Sequence, residues 1–461
     1  PLNTQLGRQL RALILDGRIS AGARLPSTRS LADDLGVSRA TVVLAFEQLV
    51  SEGYIEGRRG SGMYVADDLP EQALQVRAPT AAKSAATRMP PVPMPGPHRP
   101  FQPGASDGQL FPHQEWSRLL YRSWRSPPSA LLGTIDPFGW PPLREAIARH
   151  LHEWRGIACG AHQILITGGT ADATELVAHT AFAPGAVLHI EDPGYPTLRY
   201  TLESLGFRVY PVPVDDDGFD IARAAALGTA AGAIIAPSRQ FPLGATLPVG
   251  RRLQLLDWAS AEHAFLVEDD FDSEYRYLGS PLPALMSLDR HGRTIYIGSF
   301  SKVLSPALRL GFVVLPEALI ERARRHLAER GTLASLVAQP ALAEFIASGQ
   351  YATHIRRTRR IYARRMQALM ASAPRLAGLL DLKPTSAGMH IVAELDPRLA
   401  ARKSDRDLSA ALAAAGIIAP PLAAYYAGAA TRAGLLLGFA GFDEAAITTA
   451  AETMSRVLAD L

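Results

Sequence analysis

Lys302 stands in the stretch TIYIGSFSKVLSPALRLGFVVLP, just past the end of an apolar run and among apolar neighbours. A lysine held in such surroundings has its pKa lowered, which leaves a neutral amine able to attack a carbonyl carbon. Ser299 and Ser301 come just before it, and Arg309 follows seven residues later. Hydroxyls and a guanidinium suit a phosphate group. An aldehyde with a phosphate handle is pyridoxal 5′-phosphate. Taken alone, the same residues also read as an ordinary polar loop. The composition sharpens the choice, because only four of the 47 Lys and Arg residues are lysines: Lys83, Lys302, Lys383 and Lys403. Arginine supplies the ordinary surface cations, so Lys302 stands out.

Further residues along the chain complement that chemistry. ITGGTADATEL (166–176) is a glycine-rich strand-to-helix turn, and the amides of Gly169, Thr170 and Ala171 would open a helix as an anion site. EDPGYP (191–196) places Tyr195 where an aromatic ring could stack on a pyridine ring. VEDDF (267–271) ends in carboxylates, one of which could pair with a protonated pyridine nitrogen and sustain the ring as an electron sink. APSRQFPLG (236–244) is another such loop. Singly, the tyrosine reads equally as packing and the acids as a solvated edge. In this order, together, they form a site.

The elements that must position these groups are short apolar runs that end at turn residues. They are QILITGG (163–169), AVLHIED (186–192), GAIIAPS (232–238), AFLVEDD (264–270), TIYIGSF (294–300) and LGFVVLP (310–316), many separated by helical patterns. This is an α/β pattern, a mostly parallel sheet covered on both faces. Ligands in such sheets bind at the carboxyl ends of the strands. From about 330 the chain reads as long helices with a few strands, a smaller subdomain.

Residues 1–66 are different. Leu6, Leu10, Leu13 and Ile14 share one helical face. Ser27 caps TRSLADDLG, which ends at Gly36, and Ser38 caps RATVVLAFEQLVSEG. Two helices joined by so short a turn form a helix-turn-helix, and YIEGRRGSGMYVAD adds a hairpin wing. The second helix would enter a DNA major groove with Ser38, Arg39 and Thr41 forward, with Arg58 and Arg59 on the wing and Gly60 and Gly62 allowing close approach. A small helical bundle with solvated arginines is the bland alternative. Residues 67–100 lose periodicity and gather prolines, as a linker does. The second, larger domain is expected at 101–461.

The overall composition is that of a globular chain, with 48% apolar and 20% charged residues among 461. Cys159 is the single cysteine, so no internal disulfide forms and a reducing cytoplasm is expected. No apolar run reaches the ~18–20 residues of a membrane span. The stretch 1–18 reads as an amphipathic helix, not a secretion signal. A net charge of +3 is too weak to argue for nucleic acid by itself. No metal site is expected.

The stretch LRALILDGRISAGARLPSTRSLADDLGVSRATVVLAFEQLVSEGYIEGRRGSGMYV resembles the winged-helix domain of the GntR regulators. The region from about 101 to 461 resembles fold-type I aminotransferases, most specifically through GSFSKVLSPALRLGFVVLP. The combination is similar to the MocR subgroup. The resemblance implies that Lys302 forms the internal aldimine with pyridoxal 5′-phosphate, that Asp269 faces the ring nitrogen and that Tyr195 stacks on the ring. It implies that Ser299, Ser301, Arg309 and the turn with Gly169, Thr170 and Ala171 hold the phosphate. It also implies that Arg29, Ser38, Arg39, Thr41 and the wing glycines approach operator DNA, and that the chain pairs as a homodimer.

Three positions depart from that pattern. Phe271 replaces a tyrosine that would bond the phenolic oxygen, with Gln240 as the substitute. Ala171 lies near an expected glutamine. Leu436 lies where aminotransferases carry a carboxylate-binding arginine, with Arg432 the neighbouring fallback. The reading that follows is a transcription regulator whose aminotransferase-like domain senses pyridoxal phosphate or an amine effector through Lys302. The alternative is a working aminotransferase with an accessory DNA-binding domain, and a third reading is a purely architectural DNA-binding protein that takes no cofactor.

Overall fold

The computed structural model describes residues 2–58, 61–69, 98–133, 136–279 and 282–461. Most of the expected linker and the wing-tip residues Arg59 and Gly60 therefore lie outside the described residues. Two compact units divide the chain, Pro1–Met94 and Pro95–Leu461.

The first unit holds three helices, α1 (Leu2–Leu15), α2 (Thr28–Leu35) and α3 (Arg39–Ser51). The serines that begin α2 and α3 do so by capping. Ser27 accepts a hydrogen bond from the Ser30 amide and Ser38 from the Thr41 amide, each satisfying a donor that the helix leaves open. Gly36 stops α2 in the left-handed region at φ 64°. Strands β1 (Ile55–Arg58) and β2 (Gly62–Val65) pair antiparallel, with Ile55 opposite Val65 and Arg58 opposite Gly62. Leu10, Ile14, Val42, Phe46, Leu49, Ile55 and Val65 close one core beneath helices and hairpin. Each such side chain contributes about 1.5–3 kcal/mol of burial.

The second unit is built on a seven-stranded sheet of β3 (Ile164–Thr167), β4 (Val187–Asp192), β5 (Arg208–Pro213), β6 (Gly232–Ile235), β7 (Phe265–Asp270), β8 (Thr294–Ser299) and β9 (Gly311–Val314). Their order is β3-β9-β8-β7-β6-β4-β5. Only β9 runs against the rest, pairing antiparallel with both β3 and β8. Apolar residues on both faces of the sheet are buried, as a covered sheet requires. Strand β5 was not among the apolar runs, because Arg208 and Tyr210 interrupt it at the sheet edge.

A second, three-stranded antiparallel sheet follows, in the order β10 (Leu380–Leu382), β11 (His390–Leu395) and β12 (Gly434–Gly438). It accompanies the 22-residue helix Gln350–Ala371, which matches the helix-rich reading of the C-terminal third. Among the described residues, no helix is long and apolar enough to cross a membrane.

Candidate functional site

The end of β8 carries the site. Ser299, its last residue, lies opposite Gly311 of β9, and Gly311 lies opposite Thr167 at the end of β3. That register brings the β8 loop beside the turn that follows β3. In the turn, Gly169 precedes the helix Thr170–Ala181 with φ 107° and ψ −177°, a conformation that glycine alone adopts readily. A side chain at Gly169 would begin 3.9 Å from the guanidinium of Arg309. Arg309 thus stands at the amide end of the helix, where two sources of positive potential converge. The Ser301 amide donates to the Ser299 hydroxyl at 3.2 Å, which tightens the loop between strand and lysine.

The Lys302 ammonium donates to the Gly104 carbonyl at 3.0 Å. Gly104 has φ 75°, in the left-handed region that favours glycine, and a Cβ there would also crowd the lysine nitrogen at 2.9 Å. Burial pulls the Lys302 pKa down, while the charges of Asp272 and Asp269 oppose the shift. Strand alternation separates the acids of VEDDF. Burial raises Asp269 to about 7, with Asp270 and Asp272 adding to the rise and the charge of Lys302 opposing it. Asp270 points away and accepts from the Tyr296 hydroxyl at 2.5 Å and from Arg155 at 2.9 Å. Glu268 accepts from the Leu285 and Met286 amides. Two of the three acids are therefore structural.

Several important residues were not singled out from sequence. Glu191, at the end of β4, is raised to about 8 by burial and then by Asp269, although the Ala236 amide donates to it. It ends a strand as the other candidates do, and that pattern was the available signal. Arg239 is buried and reaches Asp272 at 3.2 Å, the Ala387 carbonyl at 3.1 Å and the His390 carbonyl at 2.7 Å. Asp172 accepts from the Gly168 amide. Phe241 is the hub of an aromatic cluster, with the rings of Tyr195, Phe271, His390 and Tyr425 meeting it edge to face at 5.3–5.9 Å.

Some expected contacts are redirected. The Gln240 amide donates to the Pro193 and Phe241 carbonyls at 2.7 and 2.6 Å and accepts from Leu243, so its side chain braces loops. Ala171 is exposed on the first turn and offers only its backbone. Tyr195 begins the helix Pro196–Ser204 and is half exposed. Leu436 is fully buried in β12, opposite Val392. Arg432 pairs with Glu394, with Asp216 at 3.8 Å.

In the first unit, Arg29 and Arg39 are exposed, and Arg39 opens α3. The Thr41 hydroxyl lies 2.8 Å from that of Ser38, so both belong to the cap. Arg58 is held by Glu56 at 2.9 Å and Asp67 at 3.2 Å and lies over the Tyr64 ring. Gly62 has φ 112°, with Arg24 packed beside it.

Two family models match the chain, the bacterial regulatory proteins of the gntR family over residues 2–65 and the class I and II aminotransferases over residues 122–454. The probable rhizopine catabolism regulatory protein MocR of Rhizobium meliloti is 38% identical over 454 residues, covering 96% of this chain and 91% of that protein. This chain belongs to the MocR-type GntR regulators. Another MocR-type relative, the pyridoxine biosynthesis transcriptional regulator PdxR of Corynebacterium glutamicum, is 34% identical, covering 99% of this chain and 94% of its own. The MocR-type architecture is completed by an aminotransferase fold. The α-aminoadipate aminotransferase LysN of Thermus thermophilus, a solved structure, superposes with a TM-score of 0.69 at 27% identity, covering 78% of this chain and 92% of that one.

Proposed function

We propose that this MocR-type protein is a DNA-binding transcription regulator that holds pyridoxal 5′-phosphate at Lys302 and responds to an amine effector or to the cofactor itself. The observation that supports it best is the constellation at the ends of β3, β7 and β8. The charges of Lys302 and Asp269 act on each other, and Arg309 stands over the Gly169 turn.

The donor set suits that cofactor. The amides of Gly169, Thr170 and Ala171, the hydroxyls of Ser299 and Ser301, and Arg309 would hold the phosphate. Asp269 would pair with the ring nitrogen, and Tyr195 would cover the ring. When bound, the cofactor supplies an aldehyde that reacts with primary amines. Burial keeps the Lys302 nitrogen inclined to the neutral, nucleophilic state, and Asp269 and Asp272 restrain that inclination. Asp269 holds or releases a proton near neutrality, so a cationic ring nitrogen would fix it as a carboxylate.

The DNA-binding head is residues 1–66, joined by 67–100 to the sensing body at 101–461. Arg29, Ser38, Arg39 and Thr41 present α3 to the major groove, and the wing with Arg58, Arg59, Gly60 and Gly62 lies along the backbone. A homodimer would offer two heads to paired half-sites, raising affinity through effective concentration. Such a regulator works in the cytoplasm. An effector shifts the balance between two states only by its differential affinity for them.

The test uses the full-length protein. Pyridoxal phosphate should give an absorbance band near the visible edge, borohydride should fix its mass on the peptide containing Lys302, and Lys302→Ala should lose both while still retarding operator DNA. Protein that stays colourless, or a band that survives Lys302→Ala, refutes the reading. Sustained ketone production from amino donors would favour an enzyme instead.

A further inference from the structure

A groove of about 890 Å³ opens between the end of the helix Pro141–Arg155, the loop after β7 and the helix Gln350–Ala371. That volume lies within the ~300–1,000 Å³ of small-molecule sites. Arg276, Arg359 and Arg360 line the groove, and Glu153 is the one acid beside them among the described residues. The inner end narrows to a cleft against Tyr296, Gly298 and Phe300, and Arg276 and Arg359 line that cleft as well. Neither Lys302 nor Arg309 lines either part, and of the residues assigned to pyridoxal phosphate only Ser299 reaches the cleft.

These arginines lack acidic partners among the described residues. Arg276 bonds only the Leu278 carbonyl, at 3.4 Å, and Arg360 only the Arg356 carbonyl, at 3.3 Å. The Arg359 side chain makes no hydrogen bond or ion pair among the described residues, although Arg359 and Arg276 are both half-buried. Burial and the neighbouring charge of Arg155 weigh against the Arg276 cation, and no acid relieves them. Half-buried like charges that line one groove without a counter-ion are costly, and an anion would complete them. The acids deeper in the cleft do not oppose one. Asp270 is neutralised by Arg155 at 2.9 Å, and burial lifts the Glu274 carboxyl well above its usual range, which keeps it protonated at neutral pH. The walls are fixed in advance. Arg155 donates to the Leu282 carbonyl at 2.7 Å, and Trp154 stacks on His150 at 5.6 Å.

We infer that this groove is a second ligand site for a small organic phosphate with at least two negative charges. Arg276, Arg359 and Arg360 take its phosphoryl oxygens, and Trp154 and Tyr277 cover its carbon body. Guanidiniums match phosphoryl oxygens in pairs, and three of them against one acid call for more charge than a single carboxylate brings. The closed inner end fits a small molecule, whereas a duplex would meet only the rim. The inference does not depend on the cofactor reading of Lys302.

The experiment is calorimetric titration of the full-length protein, loaded with pyridoxal phosphate, with pyrophosphate and with ADP at ~0.15 M salt. Pyrophosphate should bind more tightly than about 1 mM, and ADP at least about threefold more tightly again. Arg276→Gln and Arg359→Gln should each weaken both ligands at least about tenfold and leave the cofactor band unchanged. Where Arg359→Gln fails to fold, the exposed Arg360→Gln takes its place, with a loss of at least about threefold. No binding, unchanged affinity in the variants, or ADP no tighter than pyrophosphate would each overturn the inference. Pyrophosphate that removes the cofactor band is occupying the Lys302 site, which overturns it too. So does weaker retention of non-operator duplex by both variants with no binding of pyrophosphate, which assigns the groove to DNA. Failure to take up pyridoxal phosphate strikes the Lys302 reading alone, and the two arginine variants still decide this one.

Discussion

Asp172 accepts a hydrogen bond from the Gly168 amide at 2.6 Å, so the first turn of a helix braces the loop that leads into it. The other Asp172 oxygen is paired with Arg330, from a helix in a distant part of the sequence. The anion-binding turn is therefore held from behind by a charged chain that touches no ligand. Asp172→Ala should leave the Gly168 donor unsatisfied and cost about 1–3 kcal/mol in a denaturation experiment. It should weaken pyridoxal phosphate more than pyridoxal, which has no phosphate. Equal weakening of the two would show that Asp172 supports the fold alone.

Gly169→Ala tests the same turn from the front. At φ 107° and ψ −177° an alanine carries about 1–3 kcal/mol of backbone strain. The turn would relax away from Arg309, and cofactor affinity should fall at least about tenfold. Equilibrium absorbance titration reads the affinity, and unchanged binding would disprove the cradle.

Stability of the cofactor-free protein should fall as pH rises. Glu191 is raised to about 8 and Asp269 to about 7, both chiefly by burial. Each keeps its proton in the folded chain where the unfolded chain, near pKa 4, has released it. The stability they contribute is therefore full below about pH 4 and is lost as pH climbs towards 8. Thermal midpoints taken across that range should decline, and Glu191→Gln should flatten the decline. An identical slope in that variant would remove Glu191 from the account.

The two arginines of the DNA-binding head should behave unequally. Arg39 is exposed at the start of α3, whereas Arg58 is held by Glu56 and Asp67. Arg39→Ala should cost about 1–3 kcal/mol of operator affinity and relax sequence preference. Arg58→Ala should cost less, because its guanidinium must first leave its carboxylate partners. Gel-shift titration at fixed salt checks both, and the cofactor band should persist in each variant.

The legible part of this protein was local. Ser27, Gly36 and Ser38 mark helix ends through bonds that span a few residues, and the strand-end motifs list their functional groups in one short stretch each. The MocR-type architecture followed from those stretches. What escaped depends on contacts between distant segments. Arg239 meets His390 across 151 positions, and Asp172 meets Arg330 across 158. Gln240 is the expected substitute for the hydroxyl missing at Phe271, yet the Pro193 and Phe241 carbonyls occupy its amide donors. The three acids of VEDDF were equivalent in sequence, and only the sheet face and the partners behind it distinguish Asp269 from Glu268 and Asp270.

Arg239 also acts as a bolt between the two sheets of the second unit. It starts in the loop after β6 and fastens to carbonyls at Ala387 and at the first residue of β11. Beside it the Tyr277 amide and hydroxyl bond the Ser386 and Gly388 carbonyls, and the Gly388 amide bonds the Tyr275 carbonyl. Parting the two sheets there would therefore strand a desolvated cation together with several backbone groups.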